Sequence, residues 1–307
     1  MPMRILVTGA SGYVGSALIP RLRSDGHHVR GYGRSAARVT AELDEMVEGD
    51  AALGTGLDRA LDGVEVAYFL IHSMEGVGAG AFAEAERRSA EQFAAAASAA
   101  GVRRIVYLGG LVPADGQPLS RHLASRLVVE ELLLAAAPES IAMRASIVIG
   151  ARSRSFRFLV HLIERLPVLA LPAWRKNRTQ PVDGRDMLEF LARAATAPKE
   201  LSGRSWDIAG QDLMSYGELV ERIADAMLVS RPRVGVNVNM TGLASVVAAA
   251  IADEDVGLIT PLMESLEYDL LPRHEAAQAF GVRLHSFDAA VERALREWEA
   301  VEELAAR

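Results

Sequence analysis

Cysteine is absent from this 307-residue chain, which excludes disulfides, thiolate metal sites and a cysteine nucleophile. An excess of positive charge is missing too. The formal net charge is −7, which argues against a nucleic-acid-binding surface and favours a small-molecule partner. No apolar run is long enough to span a bilayer: the stretch 166–172 is short and broken by Pro167 and Pro172, and 243–252 is only a cleft-covering or interface helix. The chain shows no charged leader followed by an apolar core and a cleavage site, so a cytoplasmic location is expected. With 50% hydrophobic and 24% charged residues, the composition suits a large α/β domain with a smaller appendage.

What the chain does contain is a glycine-spaced turn in the right place. The apolar run Arg4-Ile5-Leu6-Val7 leads into Thr8-Gly9-Ala10-Ser11-Gly12-Tyr13-Val14-Gly15, and a helix-like stretch follows. Gly9 permits a tight exit from a strand, Gly12 removes the side chain that would block a pyrophosphate, and Gly15 lets the helix pack closely on the sheet. A diphosphate would then sit on the N–H groups at the positive end of that helix, with Ser11, Tyr13 and Val14 beside it.

Strand-like runs at 4–8, 28–32, 65–71, 103–109 and 141–147 alternate with helix-like runs near 13–23, 82–100 and 119–136. That alternation predicts an α/β, Rossmann-type, doubly wound parallel sheet. The nucleotide domain is placed at 1–150, with 180–210 returning to it. A smaller, mainly helical C-terminal substrate region takes 151–179 and 211–307.

The spacing Thr8-Gly9-x-x-Gly12-x-x-Gly15 resembles the extended and atypical short-chain dehydrogenase/reductases. Segments 47–50, 67–74, 103–111, 143–150 and 206–210 continue that resemblance in order, and the match is to the NAD(P)-binding, NmrA-like or epimerase-like branch. It implies cofactor contacts at Asp50 with the adenine, at Leu70, Ile71, His72 and Ser73 after a strand, at Gly109, and at Ser146 and Val148 against the nicotinamide. At the end of the second predicted strand no carboxylate stands ready for a ribose. Arg34 is there instead, with Ser35 and Arg38, so NADP(H) is expected over NAD(H). No metal is expected.

The family's tyrosine and lysine are missing. His122 and Arg126 occupy their positions one helical turn apart, and Gly109 and Gly110 stand where the serine would be. His122 is the candidate proton carrier, Arg126 a fixed charge that cannot relay a proton. Pairing of Arg126 with Glu130 is the structural alternative, and Arg144 is a strand anchor without an assigned partner. The basic segment 151–178 suits either an anionic substrate or a solvated or subunit-facing surface, and a homodimer stays open. Three functions follow: an NADP(H)-dependent oxidoreductase acting on a small, rather apolar carbonyl, alcohol or enone-like compound; a non-catalytic NADP(H) sensor or assembly factor; and a nucleotide-sugar epimerase or dehydratase.

Overall fold

Strand β1 (Arg4–Thr8) reads as buried on both faces because Ile5, Leu6 and Val7 are all fully covered. This computed structural model describes residues 1–71, 79–114, 116–235, 263 and 266–302. In chain order β1 is followed by α1 (Tyr13–Ser24), β2 (His28–Gly33), β3 (Glu45–Glu48), α2 (Leu57–Leu61), β4 (Val66–Phe69), α3 (Ala79–Ala99), β5 (Arg104–Gly110), α4 (Arg121–Ala136) and β6 (Ile141–Ala145). The C-terminal half adds β7 (Val148–Ile149), α5 (Arg154–Arg165), β8 (Leu169–Leu171), β9 (Arg178–Thr179), β10 (Val182–Asp183), α6 (Gly184–Thr196) and β11 (Arg204–Ile208). Then come β12 (Met214–Ser215), α7 (Tyr216–Ala226), β13 (Arg233–Gly235), α8 (Ala276–Phe280) and α9 (Phe287–Glu299).

Seven strands form one sheet in the order β11-β6-β5-β4-β1-β2-β3, and every pairing in it is parallel. The chain order reverses between β1 and β4, which opens a crevice at the carboxyl ends of those strands. Thr8 fastens that point. Its hydroxyl donates to the Tyr68 carbonyl at 3.0 Å and accepts the Leu70 N–H at 3.0 Å.

Alternation along each strand feeds two cores. Ile5 and Val7 pack with Leu18 and Ile19 of α1 and with Met187, Phe190 and Leu191 of α6. Leu6 faces the other way, toward Phe93 of α3 and Val129 and Leu133 of α4. Arg104, fully buried on β5, closes the end of α6: it donates to the carbonyls of Ala194 (2.8 Å), Ala195 (3.0 Å) and Ala197 (2.7 Å) and pairs with Glu139 at 2.9 Å. A cation there satisfies carbonyls that the helix leaves without partners and complements its negative end.

Two segments differ from the sequence pattern. The apolar run from Ile141 leaves the sheet after Ala145, because Val182 donates its N–H to the Ile147 carbonyl at 2.8 Å and β7 pairs with β10 instead. Beyond Gly150, α5, α7 and α9 build a further core from Phe156, Ile163, Leu219, Ile223, Phe287 and Trp298, while β11 joins the main sheet beside β6.

Candidate functional site

The carboxyl ends of β6, β5, β4, β1 and β2 lie side by side in the sheet, so the segments that follow them gather at one edge. Gly9 has φ +65°, and a Cβ there would come 2.7 Å from the Leu70 carbonyl oxygen. Both facts demand glycine. A Cβ on Gly15 would overlap the Gly9 carbonyl oxygen, so the close seating of α1 on the turn also requires its bare backbone. Gly12 differs: at φ −74°, ψ 168° it is ordinary extended backbone that N-caps α1. It supplies no side-chain cap, and the first turn holds no acidic residue. By contrast, Ser120, Asp183, Ser215 and Ser286 cap α4, α6, α7 and α9 with their side chains. The first N–H groups of α1 are thereby left for an external anion.

Ser11 and Gly12 are exposed at this edge, Tyr13 and Val14 are half-buried and Gly15 is buried. The Tyr13 ring runs toward Gly150 and Gly184; a Cβ on Gly184 would stand 2.6 Å from the phenol oxygen. Burial, helped by the carboxylates of Glu297 and Asp183, pushes the Tyr13 phenol up to about 12, so it stays neutral. Arg152 reaches the same first turn, with Nη1 donating to the Ser16 hydroxyl at 3.4 Å.

At the other end of the crevice, Arg34 follows β2, exposed and paired with nothing among the described residues. Ser35 is extended and half-buried. Asp50 folds back on its own turn: Oδ1 accepts the Ala52 N–H at 2.8 Å, and its N–H donates to the Thr55 hydroxyl at 2.8 Å. The sequence reading missed Glu48. Its carboxylate accepts the Ala36 N–H at 2.7 Å, which places an acidic group beside the loop that carries Arg34. Only the β2–β3 register, with Gly33 opposite Glu48, could have pointed to it.

Leu70 is buried and Ile71 half-buried after β4; His72 and Ser73 lie outside the described residues, as does the apolar stretch 243–252. On α4, capped by the Ser120 hydroxyl accepting from Leu123 N–H at 3.3 Å, His122 and Arg126 are both half-buried. Arg126 Nη1 donates to the Leu108 carbonyl at 3.4 Å, so this charge is held at the end of β5, next to Gly109 and Gly110. Glu130 turns elsewhere. It takes Arg144 at 2.5 Å and the Ser205 hydroxyl at 2.6 Å, which supplies the anchor partner that the sequence left open. Tyr107 is no substitute for the missing tyrosine: burial pushes its phenol up, and it donates to the Arg126 carbonyl at 3.4 Å. Ser146 is buried with its hydroxyl 3.2 Å from that of Thr179, and Val148 is half-buried in β7.

One cluster has metal-ligand residue types: Asp183, Asp186 and His285 offer atoms within 4.8 Å of one another. Its carboxylate oxygens are already engaged. Arg293 holds both Asp183 oxygens, at 2.5 and 2.7 Å, and His285 holds both Asp186 oxygens, at 2.6 Å through its ring and 2.8 Å through its N–H. Its structural effect is to tie α9 and the chain before it to α6.

Residues 9–141 match the model of a family described as NAD(P)H-binding. A ceramide reductase of Caulobacter vibrioides is 30% identical over 168 residues, which are 54% of this chain and 52% of that protein. The chain thus spans about half the length of that relative. A 2-alkyl-3-oxoalkanoate reductase of Stenotrophomonas maltophilia is 28% identical over 267 residues, covering 76% of this chain and 77% of the relative. Among solved structures, a short-chain dehydrogenase/reductase superfamily protein from Agrobacterium tumefaciens with bound NAD superposes at a TM-score of 0.70, with 21% identity over 97% of this chain and 98% of that one. At that identity the likeness is one of fold. Among the described residues no helix is long and apolar enough to cross a membrane. The chain therefore has the fold of short-chain dehydrogenase/reductase structures, and within it residues 9–141, which include the glycine turn and the uncapped α1, are similar to a family described as NAD(P)H-binding.

Proposed function

We propose that this chain is an NADP(H)-dependent oxidoreductase acting on a small, rather apolar carbonyl, alcohol or enone-like compound. The observation that carries the cofactor half is Arg34, an exposed cation with no partner among the described residues, one position beyond β2. A guanidinium there pairs with a 2′-phosphate in two parallel hydrogen bonds. The α1 N–H groups of Tyr13, Val14 and Gly15 take the diphosphate; Ser35 and Asp50 serve the adenosine side, and Leu70, Ile71, Gly109, Ser146 and Val148 line the remainder. The bound cofactor supplies hydride chemistry. Residues 151–179 and 211–307 form the substrate region.

His122 supplies or removes the proton on the substrate oxygen, in the place where this family uses tyrosine. Arg126, held at Leu108, contributes a permanent charge that stabilises developing negative charge or fixes a ribose. The relatives suggest the substrate screen: both are reductases by name, one of ceramide and one of 2-alkyl-3-oxoalkanoates. NADPH oxidation should be followed with 2-alkyl-3-oxoalkanoates and with simpler alkyl ketones and enones. Turnover that falls in His122→Gln and loses its pH dependence supports the assignment, and turnover that survives with an unchanged pH profile refutes it.

The glycines at 109 and 110 and the absence of the tyrosine and lysine favour a second reading, a non-catalytic NADP(H) sensor or assembly factor, for which that loss costs nothing. Tight NADPH binding without turnover across the screen, together with a protein partner retained in only one redox state of the nucleotide, would select it.

A further inference from the structure

The corner where β2 and β3 end holds two opposed charges. Parallel register sets Gly33 opposite Glu48, so Glu48 closes its strand beside the residue that leads into Arg34. Its Oε1 accepts the Ala36 N–H at 2.7 Å. Ala36 opens a one-turn 3-10 helix, Ala36–Arg38, whose N-cap Ser35 is extended and gives no side-chain cap. The cap therefore arrives from the neighbouring strand, and it fixes the loop between Arg34 and Arg38.

A neutral acceptor would cap that N–H as well as a carboxylate does. Charge is what Glu48 adds. The residue is exposed, as are Arg34 and Arg38, while the Asp50 carboxylate is engaged with the Ala52 N–H of its own turn. In this fold a carboxylate near the adenosine ribose favours the 2′-hydroxyl of NAD, and a cation favours the 2′-phosphate of NADP. The carboxylate is customarily delivered by the second strand, and here the second strand lacks it.

We propose that Glu48, delivered from β3, is the second determinant of cofactor choice. It positions the Arg34–Arg38 loop through Ala36 and sets a negative charge against the 2′-phosphate, so selectivity is the margin by which Arg34 outweighs Glu48. The proposal rests on the adenosine end lying at this corner, as in the NADP(H) reading above.

Dissociation constants for NADPH and NADH, measured by fluorescence titration at two salt concentrations, test it in the wild type and in Glu48→Gln, Glu48→Ala and Arg34→Ala. The glutamine keeps an oxygen for Ala36 N–H and loses the charge. It should tighten NADPH about three- to tenfold, leave NADH unchanged or weaker, and show a smaller effect at high salt. Glu48→Ala also frees the loop, and should bind NADPH more weakly than Glu48→Gln does. If Glu48→Gln moves both cofactors equally, or neither, with an unchanged melting midpoint, Glu48 is no determinant and the proposal falls; Arg34→Ala then still decides the Arg34 reading by itself. A shifted ratio in Glu48→Gln with no effect of Arg34→Ala retires Arg34 and keeps Glu48. Failure of both cofactors to bind the wild type overturns both.

Discussion

Replacing Gly12 by valine should remove cofactor binding while leaving the fold almost intact, because the two roles of the turn fall on different glycines. At φ −74°, ψ 168° the position suits any L residue, and an added Cβ meets only the Gly9 carbonyl oxygen, at 3.2 Å. The structural cost is the poorer N-cap, about 0.5–1 kcal/mol, and a melting midpoint lower by about 1–2 °C in a chain of this size. The functional cost is far larger. A branched side chain at the mouth of α1 denies the diphosphate at least two backbone N–H groups, each worth about 1.5–3 kcal/mol to a charged acceptor. Losing both weakens NADPH and NADH by about 100- to 10,000-fold. Calorimetric titration gives the affinity, and differential scanning fluorimetry gives the midpoint. Gly15→Ala is the control: its Cβ would overlap the Gly9 carbonyl oxygen, so that variant should lose stability and binding together. A folded Gly12→Val protein that binds NADPH within threefold of wild type would refute the placement of the diphosphate on α1.

Arg34→Ala should weaken NADPH by tenfold or more, in keeping with loss of a charge-assisted pair, and leave NADH within twofold, as read by the same titration. In an active protein, His122→Gln should flatten the pH dependence of turnover without changing NADPH affinity, and Arg126→Ala should weaken NADPH or substrate without introducing a new titration. Arg293→Met strands the fully buried Asp183 carboxylate and should cost about 3–5 kcal/mol at neutral pH, seen in denaturant melts. Burial alone would push the Asp183 carboxyl up, but its hydrogen bonds from Arg293 and the Arg185 N–H hold it below its ordinary 3.8. Its contribution is therefore complete above that ordinary value and is lost as pH falls through the lower folded one. The stability gap between wild type and Asp183→Asn should stay constant from about pH 7 to pH 5 and shrink only below about pH 4. A gap that closes near pH 6 would contradict the pairing.

The β1–α1 turn was legible because its constraints are local: the glycines at 9, 12 and 15 answer to backbone within a few residues or to the adjacent β4. The parallel sheet was legible from its fully buried apolar strands. β3 was not. Glu45-Met46-Val47-Glu48 is a short edge strand with charges at both ends, and that pattern guards an exposed edge while hiding the strand from an apolar search. The run from Ile141 reads as one strand through Ile147, and only the later arrival of Val182 pulls it off the sheet. The Glu48–Ala36 contact depends on a register, and the Arg144–Glu130 pair joins a strand to a helix 14 residues away in sequence. Neither leaves a mark in local periodicity.

The two ends of the crevice are specified by different means, and this explains why one was easier to read. The proposed diphosphate end is backbone: glycine positions and an uncapped helix would do the binding, so sequence spacing alone suggests it. The proposed reacting end is made of side chains whose positions are set at a distance. Arg126 is held by a carbonyl of β5, Ser146 by the hydroxyl of Thr179, and the Tyr13 ring occupies space left by Gly150 and Gly184. Gly184 begins the same helix on which Asp183 and Asp186 hold Arg293 and His285. The first turn of α1 is thus in contact with α6, and α6 is tied by charge to α9. A disturbance of the C-terminal ion pairs should therefore reach the glycine turn before α1 through Tyr13, although the two are far apart in sequence.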